Sequence, residues 1–339
     1  MNDDYLWNRS GHPDPAIERL EKLLGHYRHS RPAPDFYSVE IDTEPPTLFH
    51  RVIRSSWSKL AVAALLILCI GVGMFFRRMT VWEIQALSGV PVVAGSQVDA
   101  PTALHAGDAI ETDHDSRAKI RVGAIGFVDV GPGSRLKVVV ARATKQHLDL
   151  EEGRIKALIS APPRLFVVGT PAGKAIDLGC AYTLDVDSEG QGLLSVTLGW
   201  VALENGRKAW VPAGASCRTD PRRGPGTPVF EDASVELREA IDRFDFDDQT
   251  PEERLDDLWI IVRQARTKDL ITLWHLLMRT EGEERILVTK GISLVWDLPP
   301  DIRRQDLVSG DPDAIARLGR ELGVRETTWW KSFLENLAF

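Results

Sequence analysis

The chain has little cysteine, no excess of positive charge and no short motif typical of a catalytic site. Its three cysteines lack CxxC spacing and its histidines lack metal-ligand spacing, so the sequence indicates no metal centre. The net charge of −8 disfavours direct binding of nucleic acid, because phosphate recognition requires clustered positive charge. No GxSxG elbow or phosphate loop occurs. The sequence therefore predicts no catalytic residue and no cofactor, and the protein is not expected to be an enzyme.

Long apolar runs are also scarce, but Leu60–Phe76 is a run of seventeen residues without a charge. As a helix it would be about 26 Å long, close to the roughly 30 Å hydrocarbon core of a bilayer. Five nearby residues suit the ends of a membrane span: Trp57, Lys59, Arg77, Arg78 and Trp82. The run therefore predicts a single transmembrane helix over 60–76, with a buried core helix and a cleaved signal peptide as the weaker alternatives. Three basic residues before the run and two after it favour a cytoplasmic N-terminus only slightly.

Residues 1–59 are predicted to form a polar arm with one short helix. Asp14 suits the N-cap, and Pro15 suits the first helical position, where its missing N–H costs nothing. An apolar stripe follows at helical spacing and consists of Ile17, Leu20, Leu24 and Tyr27. A helix this short is marginal alone, so the stripe is expected to bind a partner: another protein, a second copy or the membrane surface. Residues 31–47 are acidic and rich in proline, which indicates an extended linker.

Residues 80–219 alternate in the pattern of short strands separated by turns. Ala118, Ile120 and Val122 share one face of a strand, and Asn205-Gly206 is typical of a two-residue hairpin turn. About a dozen strands at this spacing predict an all-β sandwich, barrel or short solenoid. Cys180 and Cys217 lie in this region as either a disulfide or two independent buried thiols.

The pattern becomes helical after the Pro-, Gly- and Arg-rich residues 220–228. Thr250 and Glu253 form a capping box with Pro251 at the first helical position, and further apolar stripes follow at helical spacing. The tryptophans and His275 of this region are expected to be packing residues, with a binding groove as the alternative for the tryptophans.

The predicted fold is therefore multidomain: one transmembrane helix, an all-β domain of sandwich or solenoid type, and an all-α module. The five segments are an arm (1–59), a transmembrane helix (60–76), a β-domain (80–219), a linker (220–228) and a helical module (229–339).

The order of short motifs in the β-region resembles that of FecR-type domains. The motifs are AGDAIETDHDSRAKIRVG, VDVGPGSRLKV, LEEGRIKALI, FVVGTPAG and TLGWVALENG, in that order, and they cover roughly residues 107–218. The chain departs from the family at Gly179-Cys180-Ala181-Tyr182, where a Gly-Thr pair followed by an aromatic residue is common. Its N-terminal region also resembles the arm of FecR-like proteins, although it is too short for a four-helix anti-sigma domain.

The resemblance implies a bacterial single-span regulator of the inner membrane, with a cytoplasmic N-terminus and a periplasmic C-terminus. In that family the β-domain receives a signal from an envelope protein or receptor, and the arm acts on an extracytoplasmic-function sigma factor. The resemblance therefore implies signal transduction through protein–protein contacts, with the stripe of Ile17, Leu20, Leu24 and Tyr27 facing the sigma factor. The alternative function is a membrane-anchored periplasmic scaffold with no transcriptional role.

Overall fold

The computed structural model describes residues 15–25, 63–68, 70–71 and 81–324. Contacts between Cα atoms divide the chain into two compact units, residues 1–65 and 66–339. The first unit contains helix α1, Pro15–Leu24, which starts on the predicted proline and has no buried residue.

The prediction of a transmembrane helix over 60–76, and with it the inner-membrane location, is wrong for the described residues. None of their helices has both the length and the apolar character needed to cross a membrane. The helical residues described within 60–76 are 63–68 and 70–71. A span requires about 20 residues of continuous apolar helix, and an apolar run in the sequence supplies only the composition.

Within the second unit, residues 82–230 form a β-rich region that alternates as the sequence predicted. Its first nine strands are β1 Trp82–Ser88, β2 Val92–Val93, β3 Ser96–Gln97, β4 Thr102–Leu104, β5 Ala109–Glu111, β6 Arg117–Val122, β7 Gly126–Val130, β8 Arg135–Arg142 and β9 Lys145–Ile159. The next nine are β10 Phe166–Thr170, β11 Gly173–Asp177, β12 Ala181–Val186, β13 Gly192–Leu198, β14 Trp200–Asn205, β15 Arg207–Pro212, β16 Ala215–Asp220, β17 Gly224–Pro225 and β18 Val229–Phe230.

These strands form two sheets that share the long strand β9. Sheet A has the order β4-β1-β6-β7-β9-β12-β13-β16, with β17 and β18 beside β16. Sheet B has the order β3-β2-β5-β8-β9-β10-β11-β14-β15. Every pair is antiparallel except β9 with β10, which is parallel.

Strand β9 passes from sheet B into sheet A at Gly153. Residues before Gly153 pair with β8 and β10, whereas Gly153–Ile159 pair with β7 and β12. Gly153 has a φ of +104°, and a Cβ added there would collide with Ser134. Glycine is required because only a residue without a side chain adopts this conformation and permits this approach.

The inner faces of the two sheets form a hydrophobic core around Trp82. This tryptophan, predicted to lie at a membrane interface, is instead 0% exposed in β1. Its indole N–H donates a 2.6 Å hydrogen bond to the side chain of Gln146, and its ring lies 6.2 Å from that of Phe166. The membrane interpretation failed here because an amphipathic ring suits a core position with a buried acceptor equally well.

Helices follow the strands, as the sequence predicted. They are α2 Val235–Phe246, α3 Pro251–Gln264, α4 Leu270–Leu277, α5 Gly282–Val295, α6 Arg304–Ser309 and α7 Pro312–Glu321, with a 3-10 turn at Thr267–Asp269 before α4. The capping box of Thr250 and Glu253 is present at the start of α3, with Pro251 in the first turn.

Helix α4 lies at the centre of the helical region, and all eight of its residues are buried. The Thr272 hydroxyl donates a 2.7 Å hydrogen bond to the Pro228 carbonyl, and the rings of Trp274 and Trp210 lie 5.5 Å apart. On its other side Trp274 donates a hydrogen bond to Ile315 of α7. Strands and helices therefore share one continuous hydrophobic core.

Candidate functional site

Helix α1 carries most of the stripe that was predicted to bind a partner. Leu20 is 56% exposed and Leu24 is 60% exposed, whereas Ile17 is half-buried. Leu23, which the sequence analysis did not include, is the most exposed of these leucines at 72%. Tyr27 lies outside the described residues. The apolar face of α1 is thus available for a contact, and its role in binding stays a prediction.

The predicted membrane anchors fall into two groups. Trp57, Lys59, Arg77 and Arg78 lie outside the described residues, and Trp82 belongs to the core of the β-region. The anchor role of Trp82 is therefore not supported.

Cys180 and Cys217 are two separate free thiols, both buried, so the possible disulfide between them is not formed. The Cys180 thiol donates to a carboxylate oxygen of Asp177 at 2.8 Å, and the Cys217 thiol donates to the carbonyl of Gly226 at 3.1 Å. Burial raises the pKa of the Cys217 thiol to about 12, and burial and the nearby Asp177 raise the pKa of the Cys180 thiol further still. Since the thiolate is the reactive form, neither cysteine is a nucleophile at neutral pH.

Asp177 is a buried acid at the end of β11 that the sequence analysis missed. Its side chain is 1% exposed, and it accepts hydrogen bonds from the Gly179 backbone N–H at 2.6 Å and from the Cys180 thiol. Burial raises the pKa of Asp177 to about 6, against the lowering effect of those hydrogen bonds. Tyr182 is fully buried nearby, and its hydroxyl has no hydrogen-bond partner among the residues that the structure describes. No local pattern distinguishes this aspartate from a turn residue, so only its tertiary surroundings reveal it.

A half-open pocket of about 440 Å³ lies on sheet B beside His147. Asp149, Gly169, Lys174 and Asn205 contribute to its lining. The Nε2 atom of His147 lies 3.0 Å from a carboxylate oxygen of Asp149, yet burial lowers the pKa of His147 below its usual value. Because the pKa of His147 is lowered, its imidazole adds no positive charge to this pocket at pH 7.

A second groove, of about 560 Å³, lies between β16 and α2. Four arginines and four aspartates line it. Arg218 pairs with Asp242 at 3.0 Å, and Arg223 pairs with Asp248 at 2.5 Å. Because these charges balance within the groove, it has no excess charge with which to attract an ionic ligand.

The described residues of both cavities contain no metal-binding group. Among residues 15–25, 63–68, 70–71 and 81–324, no three His, Cys, Asp or Glu side chains are arranged to hold a metal ion. His275, predicted to be a packing residue, is 0% exposed with both ring nitrogens hydrogen-bonded.

Comparison with known proteins identifies the β-region. The family model described as FecR protein matches residues 108–202. These residues run from β5 to β14 and so include the shared strand β9 and parts of both sheets. No match is found among the curated proteins.

Two solved structures resemble the chain at low similarity. Both are crystal structures of a "putative anti-sigma factor" from Parabacteroides distasonis ATCC 8503, one at 1.65 Å and one at 2.50 Å resolution. The first is 14% identical with a TM-score of 0.31, and the similarity covers 39% of this chain and 63% of that one. The second is 15% identical with a TM-score of 0.31, covering 45% of this chain and 73% of that one.

A likeness at these values carries no functional argument, so the assignment depends on the family model and on the ordered motifs that it contains. The resemblance predicted from those motifs is confirmed, and residues 108–202 of this chain are a FecR domain.

Proposed function

We propose that this protein is a FecR-type regulator that binds an extracytoplasmic-function sigma factor through α1 and receives its signal through the FecR domain. The match of the FecR family model to residues 108–202 carries the proposal, because that family has a regulatory or sensor role and no enzymatic one. The first step of the mechanism is binding of a partner protein to the FecR domain. Partner binding changes the affinity of the arm for the sigma factor, which requires a partner that binds one state of the protein better than the other.

The exposed leucines of α1 support the proposed contact with the sigma factor. Three leucines lie on its surface, and the helix also carries Glu18 and Lys22. An amphipathic helix with an uncovered apolar face gains free energy by placing that face in a groove of another protein. Ile17, Leu20, Leu24 and Tyr27 are the proposed contacts, with Leu23 added because of its exposure.

The test is capture of a sigma factor by the tagged full-length protein. We expect the wild type to capture an extracytoplasmic-function sigma factor and Leu20→Asp to abolish the capture, because a carboxylate cannot be buried unpaired in an apolar groove. Lys22→Ala is the matched control, since it changes one exposed residue of the same helix outside the apolar stripe. Expression of the sigma-dependent genes is then compared between the two variants.

Two results would contradict the proposal. One is a wild type that captures no sigma factor, and the other is a Leu20→Asp variant that leaves gene expression unchanged. Either result favours an interaction scaffold without a transcriptional role. Trp259, Ile286 and Leu294, which are exposed apolar residues of α3 and α5, are surfaces that such a scaffold would use.

A further inference from the structure

The outer face of sheet A carries a row of exposed apolar side chains inside the FecR domain. Phe127 of β7 is 44% exposed, Leu158 of β9 is 56% exposed and Leu198 of β13 is 62% exposed. Phe127 pairs with Leu158, Leu158 pairs with Ala181, and Ala181 pairs with Leu198. Directly paired residues of antiparallel strands project from the same face of a sheet. These four residues, the apolar row, therefore cross four neighbouring strands.

The core does not require these side chains. Val128 and Ala157, the strand neighbours of Phe127 and Leu158, point to the opposite face and are both 0% exposed. A register shift between β12 and β13 places the buried Val196 opposite Tyr182 and the exposed Leu198 opposite Ala181. The alternation that fills the core thus places polar residues at the outward positions. Large apolar residues at three such positions in one row are a departure from this pattern, and contiguous exposed apolar patches are typical of interaction sites.

Basic residues dominate the charges on the same face. Strands β6 and β9 contribute five cations to this face, and they are Arg117, Lys119, Arg121, Arg154 and Lys156. Arg121 pairs with Glu83, Lys119 pairs with Asp129, and Arg154 pairs with Asp185. Arg117 and Lys156 have no such partner among the described residues. The face is therefore positive on a chain whose net charge is −8.

The positive charge of this face favours one kind of binding partner over another. A second copy of the same face would bring like charges together, which disfavours a symmetric dimer through this surface. An acidic partner would instead satisfy Arg117 and Lys156. The spacing of the row also fits a helix, because strands lie about 4.8 Å apart and a helix rises about 5.4 Å per turn. A helix lying across the strands would thus place one side chain from each of its turns against one strand.

We infer that the apolar row, with its basic surroundings, is the docking surface for an amphipathic helix of a partner protein that has acidic residues beside its apolar stripe. The inference deepens the proposed function and rests on it, because it names the surface and the partner chemistry by which the FecR domain receives its signal. In the complex, Phe127, Leu158 and Leu198 are buried against the apolar stripe of the partner helix. Lys156 binds the acidic residues beside that stripe.

The experiment measures binding of a synthetic peptide to the full-length protein by fluorescence anisotropy. The probe is an amphipathic helical peptide with leucine at every third or fourth position, glutamate on the flanks and alanine elsewhere. Two matched peptides replace either the glutamates with lysine or the leucines with serine. We expect only the first peptide to bind, and its affinity to fall as salt is added.

Protein variants locate the contact. The double variant Leu158→Ser/Leu198→Ser should weaken binding about tenfold or more, because two apolar side chains lose their buried contacts. Val235→Ser is the matched control, since Val235 is 55% exposed at the start of α2 and lies outside the FecR domain. Lys156→Glu tests the contribution of charge by itself and should weaken binding of the acidic peptide. This variant also keeps the inference testable if the double variant fails to fold.

Three results would overturn the inference: no binding of the acidic peptide, equal binding of the lysine peptide, or binding unchanged by both the double variant and Lys156→Glu. Dimerisation in sedimentation that the double variant abolishes would assign the row to a second copy and also overturn it. The assay contains no sigma factor. Its failure therefore leaves the proposal for α1 standing, and failure of the Leu20→Asp test leaves this docking surface standing.

Discussion

Asp177 and His275 are buried titratable residues whose shifted pKa values affect stability in opposite directions. Because the pKa of Asp177 is raised to about 6, the folded protein holds a proton that the unfolded chain releases above about pH 4. Its contribution to the free energy of unfolding is therefore fully present below pH 4 and is lost as the pH rises through 6.

We expect Asp177→Asn to remove the loss of stability that deprotonation of Asp177 causes as the pH rises. Relative to the wild type, the variant should gain about 2 kcal/mol in the free energy of unfolding between about pH 4.5 and pH 7. Urea unfolding at both pH values measures the difference, with Asp256→Asn as a control at an exposed position. A difference between Asp177→Asn and the wild type that does not change with pH would contradict the prediction.

His275 makes the free energy of unfolding depend on pH in the opposite direction. Burial lowers its pKa to about 3, and its Nε2 atom accepts a 2.9 Å hydrogen bond from the Trp210 backbone N–H while Nδ1 lies 2.7 Å from the Ile271 carbonyl. The unfolded chain binds a proton below about pH 6.5 that the folded protein excludes, so stability falls as the pH falls from 6.5 towards 3.

We expect His275→Gln to remove about 3 kcal/mol of this acid destabilisation between about pH 6.5 and pH 4, because glutamine keeps an acceptor but does not titrate there. The measurement is again the free energy of unfolding against pH. In the wild type the contributions of Asp177 and His275 largely cancel over this range, so the two single variants should diverge in opposite directions. Parallel pH profiles of the two variants would show that neither residue titrates as described.

At the scale of the elements, Arg279 joins the end of α4 to α2 and to residues 225–227. Its guanidinium is 9% exposed, pairs with Asp245 at 2.7 Å, and donates hydrogen bonds to the Thr227 hydroxyl and to the carbonyls of Pro225 and Gly226. Residues 220–228, predicted to be a linker, thus include buried backbone whose carbonyls bind a side chain of the helical region.

Arg279→Met should therefore be severely destabilising. The substitution leaves the carboxylate of Asp245 buried without its cation, which costs about 3–5 kcal/mol. Arg303→Met is the control, because Arg303 pairs with Asp306 while its own side chain is 80% exposed, and it should cost less than about 1 kcal/mol. Urea unfolding compares the two, and equal costs would mean that the buried pair does not hold these elements together.

At the scale of the whole molecule, the shared core predicts that strands and helices of residues 81–324 unfold together. Phe230, Leu237 and Trp274 belong to the same hydrophobic cluster as Trp82, so melting the helices would expose apolar surface of the strands. We expect tryptophan fluorescence and far-ultraviolet circular dichroism of the full chain to report coincident thermal transitions for this part. Separate transitions, with helical signal lost before strand signal, would show two independent units.

Patterns that depend on near neighbours were predictable from the sequence. The strand of Ala118, Ile120 and Val122 and the capping box of Thr250 and Glu253 depend on residues within a few positions, so their periodicity and spacing are visible in the chain. The ordered motifs likewise identified the FecR domain, because they record the turns and strands of that fold.

Composition alone predicted the wrong environment where several environments suit the same residue. The apolar run at 60–76 met the compositional requirement for a membrane span, but no described helix is long and apolar enough to be one. Trp82 suited an interface by type, yet strand pairing placed it in a core beside Gln146.

Only the tertiary structure decided the surroundings of Asp177, His275 and Arg279 and the alignment of Phe127 with Leu158. Trp210 and His275 are 65 positions apart, and Arg279 lies 54 positions from Pro225. The sequence by itself determined which elements form and on which face their apolar residues lie, because those properties are local. Strand register and helix packing determined which distant groups meet, and those contacts set the pKa shifts, the buried ion pair and the apolar row.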